Sequence, residues 1–320
     1  MSIDPKSAPK VVQDELKLFK IHLDENLPAK KLDQNIMVCT WNIRMFGGLT
    51  MKWEAVANDS PKRDMHSLLC IVEILRRFDI IAVQEVRGNI KCLRETMKLL
   101  GPDWSFLMTD VTKGSKGNNE RLAFIFDNRK VKLSGLACEI VVPDEQIQKS
   151  LALTPDSLDR QFARTPYAVS FQAGNHTFVL LTLHVLFGKK SADRIAEIKA
   201  IAEWIKGWAK ELKSWSHSLL TLGDFNLERG NDPTLQAFLS TGLHIPDDLR
   251  PQDRTIFKKS TTFYDQISWF EDNICLQYRQ GGIIDFRPHV LLSRNHSLQE
   301  LSFRISDHFP LWAEFLTPLK

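Results

Sequence analysis

The chain has 320 residues, of which 43% are hydrophobic and 25% are charged, and this is the composition of an ordinary globular protein. Its formal net charge of +3 is too small to indicate a nucleic-acid partner by itself, because lysine and arginine are spread along the chain. Any partner therefore has to be inferred from motifs.

The N-terminal sequence, MSIDPKSAPKVVQDELKLFK, carries charges where a secretory signal needs an uninterrupted apolar stretch. The sequence also has no apolar run long enough to cross a bilayer. We therefore expect a cytoplasmic protein without a transmembrane segment, and we assume a monomer.

Residues 1–35 are polar and contain three prolines, although four apolar residues have helical spacing: Val12, Leu16, Phe19 and Leu23. This segment is interpreted as an extension with one short helix. Residues 36–318 contain no Gly- or Ser-rich linker, which favours one domain over two.

Cysteine usage argues against a disulfide framework and against a zinc site. The five cysteines are odd in number, scattered and free of any CxxC pair: Cys39, Cys70, Cys92, Cys138 and Cys275. We expect most of them to be small buried hydrophobic residues.

From Asn35 onward, strand-like runs alternate with helical ones. Ten runs rich in β-branched and aromatic residues predict strands: NIMVCTWNI, DIIAVQEV, WSFLMTDV, RLAFIFD, YAVSFQ, TFVLLTLHV, SLLTLGDF, FYDQISWF, HVLLS and PLWAEFL. Residues 65–78 and 195–212 have apolar side chains every three or four positions, which predicts two helices. Many strands with few long helices predict two packed sheets covered by helices.

Oxygen- and nitrogen-bearing side chains recur near the ends of these apolar runs. They are Asn42, Glu85, His184, Asp224, Asn226, Asp265, Asp307 and His308. Each one alone is ordinary, because Asn and Asp often end strands. In GDFN, however, Asp224 and Asn226 are two residues apart and point to the same side of an extended segment.

Taken together, these side chains indicate metal-dependent chemistry on a phosphate ester. Carboxylate and amide oxygens suit Mg²⁺ or Mn²⁺, and the absence of cysteine near these positions argues against zinc. Histidines oriented by carboxylates move protons near neutral pH. Hydrolysis of a phosphate ester needs this combination.

At these residues the chain resembles the endonuclease/exonuclease/phosphatase superfamily, and within it deoxyribonuclease I. Eight blocks carry the resemblance in family order, from about residue 37 to 316: TWNIRMFGG, IIAVQEVRG, NNERLAFIF, FARTPYAV, LTLHV, LTLGDFN, YDQI and ISDHFP. The resemblance implies a four-layered α/β sandwich of two mixed sheets. It also implies a catalytic domain over residues 36–318, a Mg²⁺ or Mn²⁺ cofactor, and DNA as the substrate.

The resemblance implies that Glu85 is the principal metal-binding carboxylate, supported by Asn42 and Asp307. Asp224 and Asn226 would position the scissile phosphate and either a second metal ion or the attacking water. A metal ion neutralises the charge that develops on phosphate oxygens, which is normally the largest catalytic contribution.

Two histidine–carboxylate pairs are implied as the groups that transfer protons. His308 would be oriented by Asp265, and His184 by Glu120. One pair removes a proton from water and the other protonates the departing oxygen. The sequence leaves open which histidine is the base and which is the acid.

Three arginines are expected to bind the substrate. Arg164 matches the phosphate-contacting arginine of the family, and Arg87 matches one that reaches the DNA minor groove in deoxyribonucleases. Arg121 is predicted to bind the substrate beside them. The aromatic residue that those enzymes insert into the minor groove is replaced by Asn118 or Asn119. The sequence preference of those enzymes therefore does not transfer to this chain.

Other functions remain open: a sphingomyelinase-like or other phosphoesterase of the same fold, an abasic-site endonuclease, or a non-catalytic binding module. A lipid enzyme would show an exposed apolar rim, which Trp269 and Phe270 could supply, although we expect them to complete a core strand. A nuclease would gather basic residues around the pocket. The candidates are Arg44, Arg87, Arg121, Arg164 and Arg229.

Overall fold

A computed structural model describes residues 4–112, 118–140, 164–185, 187, 192–213, 217–258, 260–274 and 276–317. Cys275 and the first two residues of the FARTPYAV block, Phe162 and Ala163, lie outside these ranges.

The described residues form eleven strands and six α-helices. The strands are β1 (Asn35–Phe46), β2 (Ile80–Arg87), β3 (Trp104–Met108), β4 (Glu120–Asp127), β5 (Lys132–Glu139), β6 (Tyr167–Ala173), β7 (His176–His184), β8 (Ser218–Glu228), β9 (Thr262–Trp269), β10 (Gln277–Ile283) and β11 (Leu311–Leu316). The helices are α1 (Lys10–Asn26), α2 (Met65–Leu75), α3 (Lys91–Leu100), α4 (Ala192–Lys213), α5 (Pro233–Leu239) and α6 (Leu298–Arg304).

The strands form two mixed sheets. The six-stranded sheet has the order β10-β11-β1-β2-β4-β3, and the five-stranded sheet has the order β5-β6-β7-β8-β9. β1 and β2 are parallel, as are β7 and β8, whereas the other neighbouring strands are antiparallel. The predicted fold class, two mixed sheets flanked by helices, is confirmed.

Alternating side chains of β1 serve two different cores. Ile36 and Val38 pack with the second sheet, whereas Met37, Cys39 and Trp41 belong to the core beneath helices α1, α2 and α3. This alternation follows from the two-residue repeat of a strand. It explains why β1 is apolar along most of its length, since both of its faces are covered.

Nine of the ten predicted strands are confirmed, as are the helices predicted over residues 65–78 and 195–212 and the helix predicted within residues 1–35. The prediction for HVLLS is wrong, because the chain there forms a turn and a 3-10 helix at Leu292–Arg294, with Leu291 in a left-handed conformation at φ 53°. The sequence reading missed β5 and β10. Both are edge strands that contain glycine and are mostly exposed or only partly buried, so one-sided apolar alternation is weak in them.

The cysteine prediction is confirmed where the structure describes the residue. Cys39, Cys70 and Cys92 are buried, and Cys138 is half-buried. Trp269 and Phe270 are also buried and belong to the core between the sheets, which confirms that they complete a core strand. Within the described ranges, no helix combines the length and apolar character needed to cross a membrane.

Helix α1 has 17 residues and packs firmly on the rest of the protein. Phe19 and Leu23 join the core beneath the helices. Glu15 is buried and accepts hydrogen bonds from the backbone amides of Leu292 and Ser293, at 3.1 and 2.8 Å. The boundary proposed after residue 35 stays a prediction.

Buried His66 of α2 should make the protein sensitive to acid. Burial and the neighbouring Arg294 cation lower the pKa of His66 to about 4, against about 6.5 in an unfolded chain. The neutral side chain therefore stabilises the fold above pH 6.5, and this contribution is lost as the pH falls from 6.5 towards 4.

The free energy of unfolding of the wild type should fall between pH 7 and pH 5. For His66→Gln we expect this fall to be smaller by about 2 kcal/mol. Urea unfolding at both pH values measures this difference. Equal losses in the two proteins would show that His66 does not control the acid sensitivity.

Candidate active site

Asp224 lies at the centre of a buried cluster formed where the two sheets meet. Its Oδ2 accepts a hydrogen bond from Asn42 Nδ2 at 3.0 Å. The same oxygen lies 3.5 Å from His184 Nε2 and 3.9 Å from His308 Nε2. Burial alone would raise the pKa of Asp224, but the two histidines and Asn42 lower it. The carboxylate is therefore held in its charged form between two imidazoles.

One imidazole is oriented by a second buried carboxylate. His308 Nδ1 lies 2.7 Å from Asp265 Oδ2, and Asp265 is fully buried. Burial alone would lower the pKa of His308, but Asp265 and Asp224 raise it well above its usual range. With Nδ1 engaged by Asp265, Nε2 is directed towards Asp224.

The other imidazole is held in the same way from the opposite side. His184 Nδ1 lies 3.1 Å from Glu120 Oε2, and Arg164 Nε lies 2.7 Å from the same oxygen. Arg164 Nη1 also donates to the backbone carbonyl of His184 at 3.3 Å. Burial alone would raise the pKa of Glu120, but His184, Arg164 and Arg87 lower it.

Strand register creates this arrangement. His184 pairs with Asp224 across β7 and β8, and Asp224 pairs with Asp265 across β8 and β9. Gly223 permits the close approach of β7 to β8, since it has φ 148° and an added Cβ would lie 2.2 Å from the Leu183 carbonyl oxygen. A side chain at this position would push the two strands apart.

Asn226, the last residue of GDFN, forms hydrogen bonds with Asp224 and with the chain after His184. The backbone amide of Asn226 donates to Asp224 Oδ1 at 3.0 Å, and its side-chain Nδ2 donates to the Val185 carbonyl at 2.8 Å. Asn226 thereby fixes the Asp224 carboxylate and the chain that follows His184. Its predicted contact with a phosphate stays a prediction.

Glu85 lies where β2 becomes irregular. It has a left-handed φ of 62°, which is uncommon for a non-glycine residue, and such backbone strain often accompanies functional sites. Its Oε2 accepts a hydrogen bond from the Met45 amide at 2.8 Å and lies 3.6 Å from Arg87 Nη2. Arg87 Nη2 is also 3.4 Å from Glu120 Oε1, so this arginine links the two carboxylates.

Ser306 anchors the SDH segment to the end of β1. Its hydroxyl donates to the Asn42 carbonyl at 2.6 Å and accepts from the backbone amides of Arg44 and His308, at 3.1 and 3.2 Å. The next residue, Asp307, has a partly exposed carboxylate with Oδ2 3.4 Å from Arg44 Nη1. Asp307 and His308 thus lie beside Asn42 despite their distance along the chain.

The three predicted metal ligands fit a hard divalent cation. Asn42, Glu85 and Asp307 offer only oxygen atoms, and Asn42 Oδ1 is buried without a hydrogen-bond partner. A second group, Asp224, Asp265 and His308, has ligand atoms within 4.8 Å of one another. In that group His308 Nδ1 is already engaged by Asp265.

The predicted substrate-binding arginines differ in their surroundings. Arg164 and Arg87 contact the carboxylates of the cluster. Arg121 instead donates to the Arg87 carbonyl at 2.9 Å. Arg44 adjoins Asp307, whereas Arg229 binds backbone carbonyls elsewhere.

The sequence reading missed buried Arg63, which ties two segments of the site together. Its guanidinium donates to the carbonyls of Arg44 and Met45 after Asn42, at 2.7 and 3.1 Å. It also donates to the carbonyls of Arg304 and Ile305 before Asp307, at 2.9 and 3.0 Å. No sequence signal marks this arginine, because the four carbonyls that accept its hydrogen bonds are backbone groups distant along the chain.

Comparison with known proteins identifies the family of this chain. Residues 39–308 match the Endonuclease/Exonuclease/phosphatase family. The chain is 26% identical over 312 residues to a deoxyribonuclease from Thioalkalivibrio sp. (strain K90mix), which covers 93% of this chain and 75% of that protein. It is 26% identical over 295 residues to deoxyribonuclease gamma from Rattus norvegicus, which covers 87% and 83%.

A solved structure shows the same fold. The human Nocturnin catalytic domain with bound sulfate anion superposes with a TM-score of 0.58 at 17% identity, covering 88% of this chain and 95% of that one. The family match spans most of the sequence and includes every residue of the buried cluster. The chain therefore belongs to the endonuclease/exonuclease/phosphatase family and is a phosphoesterase.

Proposed function

We propose that this protein is a divalent-metal-dependent DNA endonuclease that hydrolyses phosphodiester bonds by attack of water. The observation that carries the proposal is the convergence of two carboxylate-oriented histidines on Asp224. Nε2 of His184 and Nε2 of His308 lie 3.5 and 3.9 Å from Asp224 Oδ2. Two proton-transfer groups beside one buried carboxylate suit a reaction with an attacking and a departing oxygen.

In the proposed reaction, one histidine accepts a proton from the attacking water. The other histidine donates a proton to the oxygen that leaves the phosphorus, so proton transfer balances across the step. Asp265 and Glu120 hold the two imidazoles in the required orientation. Asp224 lies between them and orients the water.

Asn42, Glu85 and Asp307 would hold the divalent cation, which when bound supplies positive charge to the phosphate oxygens. Arg164, which is only 9% exposed, adds a fixed positive charge. Arg87 extends this positive region towards Glu85. Charge fixed before the reaction stabilises the developing negative charge without further reorganisation.

Two observations favour DNA over the rival substrates. The curated relatives named above are deoxyribonucleases that align over most of this chain. The suggested membrane-contacting tip is buried, since Trp269 and Phe270 are only 4% and 7% exposed. A non-catalytic module is disfavoured, because the polar cluster has kept all its implied metal ligands and both histidine pairs.

Incubation with supercoiled plasmid tests the proposed function. We expect conversion to the nicked form with Mg²⁺ or Mn²⁺, loss of nicking when a chelator is added, and recovery when the metal is restored. Sphingomyelin vesicles and a soluble phosphomonoester serve as parallel substrates. Hydrolysis of either one, with no nicking at any divalent metal, would overturn the nuclease proposal.

A further inference from the structure

Three phenylalanines are exposed among the described residues, and all three adjoin the site. Phe187, Phe257 and Phe303 are 57%, 36% and 37% exposed. Phe303 lies beneath the Arg44 guanidinium, at 4.0 Å from the ring centre, beside Asp307. Phe257 follows Ile256, whose amide donates to the Asp307 carbonyl at 2.8 Å. The reaction described above makes no use of these rings.

Phe187 is the most exposed of the three, and a second aromatic ring links it to a catalytic imidazole. Its ring meets the ring of Tyr264 edge to face, with centres 6.1 Å apart and an interplanar angle of 88°. Tyr264 in turn lies 5.8 Å from the ring of His308. An unbroken row of aromatic rings therefore leads from His308 to an exposed apolar face.

Buried Arg194 holds Phe187 in place. Its Nη1 donates to the Phe187 carbonyl at 3.2 Å, and its guanidinium carbon lies 5.1 Å from the ring centre. Arg194 is itself fixed by Glu228, with Nη2 2.7 Å from Oε1. The ring is thus anchored through its backbone and through one face, although more than half of its surface is open.

We propose that Phe187 stacks on an unpaired nucleobase next to the scissile phosphate, and that the enzyme consequently prefers single-stranded or locally unpaired nucleic acid. This proposal rests on the proposed nuclease function. A base is joined to its phosphate through one sugar, so a phosphate beside His308 places the neighbouring base near this aromatic row. Aromatic platforms beside positive charge bind single strands in this way.

Duplex DNA cannot satisfy this contact without opening. Bases in a duplex are stacked on their neighbours and paired, so a protein ring reaches a base face only after that base is unstacked. A strand that is already unpaired avoids this cost. Phe187 therefore favours cleavage of unpaired nucleotides without reading their sequence, because every base has a flat face.

A lipid surface is the rival occupant, and the arginines argue against it. Phe187 and Phe303 each have a guanidinium against the ring. Inserting such a ring into a bilayer would bring a cation towards the apolar layer, which is costly. A nucleic acid instead brings phosphates, which the partly exposed Arg44 guanidinium attracts.

The test compares three fluorescent DNA substrates in Mg²⁺ or Mn²⁺: a single strand, its duplex, and the same single strand carrying abasic tetrahydrofuran sites. We expect the wild type to have the highest kcat/KM on the single strand with bases. Phe187→Ala should lower the ratio of kcat/KM on the base-containing strand to that on the abasic strand by about 5- to 150-fold.

Two further variants separate stacking from folding. Phe187→Trp retains a flat ring and should retain the wild-type ratio, whereas Phe187→Leu retains apolar bulk without the ring and should lower it. Leu133→Ala, at an exposed position on edge strand β5, is the matched surface control and should not change the ratio.

The experiment distinguishes failure of the stacking proposal from failure of the nuclease proposal. Equal ratios for wild type and Phe187→Ala, with DNA still cut, would overturn base stacking and leave the nuclease function standing. An equal loss on all three substrates would also overturn it, since the ring would then only support the catalytic groups. Hydrolysis of sphingomyelin vesicles without DNA cleavage, weakened by Phe187→Ala, would overturn both proposals and favour a lipid contact.

Discussion

Replacing His308 by alanine should lower the DNA cleavage rate by about 10²- to 10⁴-fold, the range that general acid–base groups contribute. The imidazole bridges two buried carboxylates, with Nδ1 2.7 Å from Asp265 and Nε2 3.9 Å from Asp224. Alanine removes the proton-transfer group. It leaves intact the backbone contacts of this residue to Ser306 and Trp41. We therefore expect a folded but nearly inactive protein.

The measurement is kcat on plasmid DNA, together with circular dichroism to confirm folding. His184→Ala should show a loss of similar size, because its imidazole occupies the corresponding position on the other side of Asp224. His176→Ala is the matched control, since His176 begins the strand that His184 ends. Near-normal cleavage by either site variant would remove that histidine from the mechanism.

Asp265→Asn provides a further check on the His308 pair. Asp265 is argued to position His308 rather than to touch the substrate. Asparagine keeps the shape but removes the negative charge that favours the charged imidazole. The value of kcat should therefore fall, and the pH dependence of kcat should change as well. A purely structural role of Asp265 would not change the pH dependence.

Replacing Arg63 by methionine should destabilise the protein by on the order of 3–5 kcal/mol, because buried carbonyl oxygens lose their donors. Arg63 is 2% exposed and donates four hydrogen bonds to backbone carbonyls. Methionine fills much of the same volume without a polar atom. The free energy of unfolding in urea measures the loss.

The same variant should need a higher metal concentration for cleavage. The four carbonyls belong to the segments that carry Asn42 and Asp307, so their separation is less fixed without the guanidinium. Arg229→Met is the matched control, since Arg229 also binds backbone carbonyls but away from these ligands. Wild-type stability and metal dependence in Arg63→Met would show that the guanidinium does not maintain the site.

The sequence predicted the strands that are apolar on both faces and the polar residues at their ends. β1 and β8 were clear because both of their faces are buried, which leaves long apolar runs ending in Asn42 and Asp224. The eight blocks of family resemblance then joined these ends into one site. The local sequence pattern was sufficient to predict a site residue wherever that residue ends the apolar run that marks it.

The features that escaped prediction depend on contacts between distant segments. Arg63 binds groups as far away as Ile305, and the position of Phe187 depends on Arg194 and Tyr264. Isolated arginines and phenylalanines carry no mark of such partners in the sequence. The edge strands β5 and β10 escaped for another reason, since glycines interrupt both of them and their side chains do not alternate strictly between apolar and polar.

The row formed by His184, Asp224 and Asp265 across three adjacent strands has a consequence for folding. Strand side chains alternate between the two faces of a sheet, so a slip of one residue in β8 would turn Asp224 to the opposite face. A misregistered molecule could keep its secondary structure and most of its compactness while losing all activity. Specific activity would therefore measure how accurately the strands have aligned during refolding, a property to which circular dichroism is nearly blind.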